Sequence, residues 1–317
     1  MPRRSSLLLL LMLSLLKPSS SQSIISTFAG GSTSPTVLTQ SIPIGAATIT
    51  ALAADAAMLF YATATHVGGV PLTPQGYGLG PVLPIAGNPA WANTSLAAPQ
   101  AEGLTASDPH ATRVSPTALA VNGSGLFIAC AFARTLRFVS NATSPLGAQA
   151  RIFTAAGNGS LAAGVYPGFP FAPAPALSVP LGAVAALALS AADGTLYLAE
   201  PALHLIRALS TSQGTLRVVA GTGAPATLAG AAVGAPWLPW LSAALTPTAL
   251  ALQPGTGSLF FVQASTCTVH ALNVSGSVVS LAAGLAAATC STAALSGTIA
   301  ALGAPLAAFC WGTLAMG

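Results

Sequence analysis

An apolar run that closes in Ala-Gly recurs along this chain and constrains its fold more than any other feature. It reads "ISTFAGG" from residue 25, "VLPIAGN" from 82, "RIFTAAGNG" from 151, "LRVVAGTG" from 216 and "SVVSLAAGL" from 277. Its marking glycines are Gly30, Gly87, Gly157, Gly221 and Gly284. A second element lies between these runs: "MLFYATATHVGGV" from 58, "GLFIACAFARTLRFV" from 125, "GTLYLAEPALHLIRAL" from 194 and "GSLFFVQASTCTVHAL" from 257. A third precedes the second: "SPTALAV" from 115, "VPLGAVAALAL" from 179 and "TPTALAL" from 246, with a looser "IPIGAATITALA" from 42.

Each unit therefore reads as four short strands. Turn-forming clusters separate them, among them "NGSG" at 122, "ADG" at 192, "TSQG" at 211 and "PGTG" at 254. Runs this short, bounded by Gly and Pro, are too brief for helices. Four-stranded units repeating at ~40 residues or more predict the blades of a β-propeller. Stacked blades bury both faces of each sheet, which accounts for the weak polar–apolar alternation. Alanine is ordinarily depleted in strands. Close approach of sheets near a common axis gives it a packing role, and a composition bias of the genome would enrich it equally.

The unit from 194 to 223 resembles an NHL repeat, on Gly194, Leu196, Tyr197, Ala199, His204, Ile206, Arg207, Gly214, Ala220, Gly221 and Gly223. Glu200 stands where that family has Asp, and Leu203 where it has Asn. The resemblance extends over about residues 25 to 310, with this unit the strong match. It implies an all-β propeller of six blades. The chain offers four complete units and the start of a fifth, "TIAALGAPLAAF" at 298, so the expectation is a chain incomplete at its C-terminus. "ISTFAGG" reads as the outer strand of a blade whose inner strands come from elsewhere. Along the repeat, Thr63, Cys130 and Gln263 replace Glu200, and Val67, Arg134 and Cys267 replace His204. Arg137 matches Arg207, which Val70 and His270 replace. Glu200 and Arg207 are expected at the open end of a hairpin, as a surface pair worth about 0–1 kcal/mol.

Composition decides the compartment. Apolar residues make up 53% of the chain and charged ones 4%, against roughly 25% in soluble domains. Mean hydropathy is +0.75, which invites a membrane reading. A spanning helix needs about 20 predominantly apolar residues. "MPRRSSLLLLLMLSLLKPSSSQS" has two arginines and an apolar core only from Leu7 to Leu16, the form of a secretory signal peptide over residues 1–23. A signal anchor is the alternative. Residues 281 to 317 carry no charge, but Gly284, Gly297, Gly303 and Pro305 interrupt them. The mature chain is thus read as residues 24–317 without a membrane span, and a multi-pass protein is the lesser reading. Without Arg3, Arg4 and Lys17, six basic residues face five acidic ones, and no lysine is left. The absence of a basic stripe argues against nucleic-acid binding.

Five Asn-x-Ser/Thr sequons, at Asn93, Asn122, Asn141, Asn158 and Asn273, fall in predicted loops or at a strand end, where a glycan is solvated. Cys130, Cys267, Cys290 and Cys310 allow three pairings in an oxidising lumen. Cys267 with Cys290 is favoured because both belong to one blade and its following loop. Cys130, inside a strand, reads equally as a buried thiol. His66, His110, His204 and His270 occupy different columns of the repeat, so a zinc site from convergent histidines is not expected. The carboxylates Asp55, Glu102, Asp108, Asp193 and Glu200 form no evident acid–base pair. "AGTG" at 220 lacks the rest of a nucleotide fingerprint. Trp237 and Trp240 read as an exposed platform or as a plug under a loop.

No catalytic residue, metal or cofactor is therefore assigned. The sequence predicts a secreted or cell-surface glycosylated propeller that binds a protein or glycan through loops on a rigid frame. The Pro/Gly-rich segments 31–42, 88–114, 158–178 and 222–245 would form its binding face. The alternative is a metal-dependent propeller enzyme resembling amidating lyases or lactonases.

Overall fold

The structure, a computed structural model, describes residues 24–25, 42–43, 49–55, 57–72, 82–88, 107–123, 125–142, 150–160, 172–225, 238–239, 244–253, 257–263, 268–273 and 278–284. Strands β1 (Ile24–Ile25) and β2 (Ile42–Pro43) pair with each other. Blade 1 holds β3 (Ala51–Ala54), β4 (Met58–Ala62), β5 (His66–Pro71) and β6 (Leu83–Gly87). Blade 2 holds β7 (Pro116–Asn122), β8 (Gly125–Cys130), β9 (Thr135–Ser140) and β10 (Arg151–Ala156). An edge strand β11 (Ala174–Pro175) precedes blade 3, which has β12 (Ala186–Leu189), β13 (Thr195–Glu200), β14 (Leu205–Ser210) and β15 (Thr215–Ala220). Another, β16 (Leu238–Pro239), precedes blade 4, with β17 (Ala249–Leu252), β18 (Ser258–Gln263), β19 (Thr268–Asn273) and β20 (Val278–Gly284). Each blade is an antiparallel meander, and the four are arranged as a β-propeller, as the repeat predicts. No described helix is long and apolar enough to cross a membrane.

The inner strands pack side by side in chain order, β3 on β7, β7 on β12 and β12 on β17. Three cores lie between blades. Phe60, Leu126, Ile128 and Ile152 fill the first, Leu136, Leu181, Leu196 and Leu198 the second, and Ile206, Leu259, Phe261 and Leu272 the third. Removing one such side chain from water stabilises the fold by about 1.5–3 kcal/mol. Ala62, Ala86, Ala129 and Ala220 are wholly buried among them. A larger side chain there would force the sheets apart, so packing outweighs the low strand propensity of alanine.

The Ala-Gly ending has a geometric cause. In every blade a β-bulge interrupts the pairing of the third and fourth strands, at Val67/Gly68, Thr154/Ala156, Ile206/Arg207 and Val269/His270. The extra residue lies two positions before the marking glycine. A bulge bends its strand, here bringing the strand end against the loop between the second and third strands. Gly87, Gly157 and Gly221 take φ of 76°, 91° and 111°. A Cβ on them would lie 2.4 Å from Thr65 O, 2.5 Å from Arg134 O and 2.3 Å from His204 O.

This register corrects two columns of the sequence reading. The residue in line with His204 and Arg134 is Thr65, not Val67. Gly68, not Val70, aligns with Arg207, because the blade 1 loop is two residues shorter than the others. The Tyr61 ring lies over Gly68, where a Cβ would come within 2.4 Å of it.

Parts of the Pro/Gly-rich segments pair with blades. In their described parts, Ala174 pairs with Leu216 and Leu238 with Val279, and Ser107 bridges Ile152. Each partner stands five residues before its marking glycine, and Ile25, opposite Ile42, does too. These described parts thus lie along blade edges, where Pro175 and Pro239 offer no N–H to a further strand.

Threonines join the inner strands. Thr50 donates to Pro116 O at 3.1 Å, and Thr117 to Val184 O at 2.7 Å. At the third junction the corresponding residue is Ala185, whose N–H bonds Ala199 O as that of Thr50 bonds Ala62 O. A185T supplies the missing donor toward Pro247 O. Its expected effect is a gain of about 0.5–1.5 kcal/mol in chemical denaturation, and a loss of stability would show that the junctions are not equivalent.

Candidate functional site

The polar side chains of this propeller gather where the second strand of each blade hands over to the third. In blade 3, strand alternation places Leu198 and Glu200 on one face, and Arg207 stands opposite Leu198. The long Arg207 side chain runs along that face to Glu200. Its Nε donates to Glu200 Oε2, and its Nη2 donates to Glu200 Oε1 at 2.5 Å and to Pro180 O at 3.0 Å. Glu200 Oε1 also accepts the Gly182 N–H at 2.6 Å. Glu200 is 0% exposed and Arg207 1%. The expected surface pair is in fact a buried one. Both partners hold residues 180–182, the lead-in to β12, which covers them.

Blade 4 repeats the device without charge. Beyond Arg217 the chain has no Asp, Glu, Lys or Arg. Gln263 takes the place of Glu200, accepting the Thr246 N–H on Oε1 at 2.7 Å, and its Nε2 lies 2.7 Å from His270 Nε2. The amide donates and the imidazole accepts, which puts the His270 proton on Nδ1. The ring stacks on Phe261 at 5.1 Å between centroids. Two replacements that look like decay of the motif therefore preserve its function as a tether.

Blades 1 and 2 depart further. Thr63 Oγ1 lies 2.8 Å from His66 Nδ1 and accepts the His66 N–H at 3.3 Å. Burial lowers the His66 pKa below the ordinary imidazole value. The unfolded chain then takes the proton more readily, so the stability contributed by neutral His66 is present above pH ~6.5 and lost as pH falls through the folded-state value. We expect denaturation midpoints to fall between pH 7.5 and 5.5 by more in the wild type than in H66Q. Equal falls would refute the assignment. In blade 2, Cys130 and Arg137 fill the Glu200 and Arg207 positions, 3% and 1% exposed.

Histidine 204 joins two blades. It takes φ 55° after the 3-10 turn Pro201–Leu203. Its Nδ1 lies 3.1 Å from Leu245 O and 3.2 Å from Thr246 Oγ1 in the lead-in to blade 4. A carbonyl only accepts, so Nδ1 carries the proton. Tyr197 is buried in the core between blades 3 and 4, which raises its phenol pKa.

The remaining histidine, His110, is exposed and donates its N–H to Asp108 Oδ1. The histidines are thus distributed over several blades. No group of three or more His, Cys, Asp or Glu among the described residues could hold a metal. Asp55 and Asp193 accept backbone N–H groups in turns, and hydrogen bonds, foremost from Ser190, lower the Asp193 pKa.

Asn141 is exposed in the turn after β9, Asn273 is exposed as the last residue of β19, and Asn122 is half-buried as the last residue of β7. Asn158 is exposed just beyond Gly157. Asn93, Glu102, Trp237, Trp240, Cys267, Cys290 and Cys310 lie outside the described residues, as do the whole leader and the predicted fifth unit from 298.

No protein-family model matches this chain, and no curated protein does. Among solved structures, a Bacteroides thetaiotaomicron protein of unknown function is similar at 12% identity and TM-score 0.46, over 74% of this chain and 46% of that one. A streptogramin B lyase is similar at 12% identity and TM-score 0.41, over 78% and 58%. A nidogen/laminin complex is similar at 14% identity and TM-score 0.34, over 74% and 80%. This chain spans about half the length of the first of these.

Proposed function

We propose that this protein is a secreted or cell-surface glycoprotein whose NHL-type propeller is a binding or scaffold module for a protein or glycan. One observation carries the reading. Among the described residues, Glu200, Arg207, Gln263 and Cys130 are buried, and His204 and His270 are held by hydrogen bonds between strands or blades. They make a rigid frame rather than a reactive cleft, and a rigid frame presents loops for recognition. The leader over residues 1–23 and the exposed sequons at Asn141, Asn158 and Asn273 support export through a glycosylating lumen.

Expression of the whole chain in cultured secretory cells tests this. Protein in the medium, shifted in mobility by peptide-N-glycosidase, is expected. Deletion of residues 1–23 is expected to leave unglycosylated protein inside the cell. Binding to an array of immobilised glycans and extracellular-matrix proteins then reads the partner class. Retention of the full chain in the cytosol without sugar would overturn the proposal.

A further inference from the structure

We infer that the sugar on Asn158, rather than a protein partner, covers Phe132 and Leu177, the two large apolar side chains that the described blades leave bare. This rests on the glycoprotein reading above and goes beyond it by naming what one glycan does. Phe132 and Leu177 are the two exposed large apolar side chains among the described residues, 54% and 41% exposed. Covering them removes apolar surface from water, worth roughly 25 cal/mol per Å². The loops that carry them flank the turn of Asn158.

Backbone contacts place them there. A Cβ on Gly157 would lie 2.5 Å from Arg134 O and one on Gly159 3.7 Å from Ala133 O, so residues 157–159 press against the Phe132 loop. On the other side, the Gly157 N–H bonds Ala176 O at 2.9 Å, and Asn158 Nδ2 donates to Ser178 O at 3.2 Å. Phe132 is held by its own N–H to Ser115 Oγ at 2.9 Å, and Ser178 by its N–H to Pro175 O. Asn158 thus stands between the two anchored loops that carry Phe132 and Leu177.

The side chain of Asn158 is also aimed. Its Oδ1 accepts the Ser160 N–H at 3.0 Å and the Ser160 hydroxyl at 2.6 Å. One Nδ2 hydrogen goes to Ser178 O, and the other is open to substitution. In the transfer, the bond from Nδ2 to sugar C1 forms while the C1–O bond to a lipid pyrophosphate donor breaks. The displaced amide proton leaves with the pyrophosphate. The bond to Ser178 O survives, so the first sugar ring leaves the turn in a fixed direction, beside Phe132 and Leu177. The C–H face of a pyranose suits the face of an aromatic ring.

The test uses the full chain secreted from cultured cells, with glycopeptide mass spectrometry after chymotrypsin. Wild type and S160T are expected to carry sugar at residue 158. S160A is expected to lose it while keeping the asparagine amide. S160A should then bind more of an apolar dye, severalfold above wild type, and melt about 2–4 °C lower. In a F132S/L177S background, S160A should change neither reading. Asn158 bare while Asn141 or Asn273 is occupied would overturn this inference and leave the glycoprotein reading standing. Sugar at no sequon would overturn both. An S160A effect that persists in the F132S/L177S background would show that the sugar covers something else.

Discussion

Replacing Glu200 by alanine is expected to lower the unfolding free energy by about 3–5 kcal/mol, the cost of leaving a buried charge without its partner. The carboxylate satisfies two guanidinium nitrogens and the Gly182 N–H, all out of reach of water. Its loss strands the Arg207 charge and frees the lead-in to β12. The loss should also be local at first, with amide exchange accelerating at residues 180–184 before the outer strands. The double variant E200Q/R207H, which copies the Gln263–His270 pair of blade 4, removes the charge and keeps the geometry. It should recover most of the loss, with a coupling energy above ~1 kcal/mol between the two positions. Denaturant titration of the three proteins measures this. A cost under ~1 kcal/mol for E200A would mean that the pair is solvated after all, as exposed ion pairs are.

Gly221→Ala should be nearly as damaging, for a purely steric reason. At φ 111° an L-residue costs about 1–3 kcal/mol by itself. The new methyl would also meet His204 O at 2.3 Å and Leu205 Cα at 3.0 Å, both backbone atoms that cannot rotate away. Gly87 and Gly157 face equivalent oxygens, so G87A and G157A should fall by similar amounts. Gly214 is the control. It too has positive φ, 63°, but open space around it, so G214A should lose only the conformational part. Melting curves that rank G214A with the other three would remove steric contact as the cause of the Ala-Gly signature.

The two substitutions mark how far the primary structure could be read. The period, the four strands per unit and the marking glycines were legible because strand runs and turn residues act locally, through periodicity and φ. The edge strands were not, although Ile-Pro, Ala-Pro and Leu-Pro before blades 1, 3 and 4 were a signal. A two-residue strand has no periodicity of its own and becomes visible only through its partner. The site was less legible still. Glu200 and Arg207 were recognised as a pair but assigned to the surface, because nothing nearby in sequence shows that residues 180–182 fold over them. Gln263 and His270 looked like erosion of the same motif, since similarity of residue type does not register that an amide and an imidazole can reproduce the hydrogen bonds of a carboxylate and a guanidinium.

By itself the amino-acid sequence determined a propeller of short four-stranded blades, because each hairpin and each positive-φ glycine answers to forces acting over a few residues. Only the tertiary structure decided which polar groups are buried, which columns correspond and which apolar side chains stay exposed beside Asn158. Those outcomes depend on contacts between segments far apart in the chain, such as Gly182 on Glu200, 18 residues away, and Thr117 on Val184, 67 residues away. Solvent access is a property of the packed blades and is written in no single stretch of the chain.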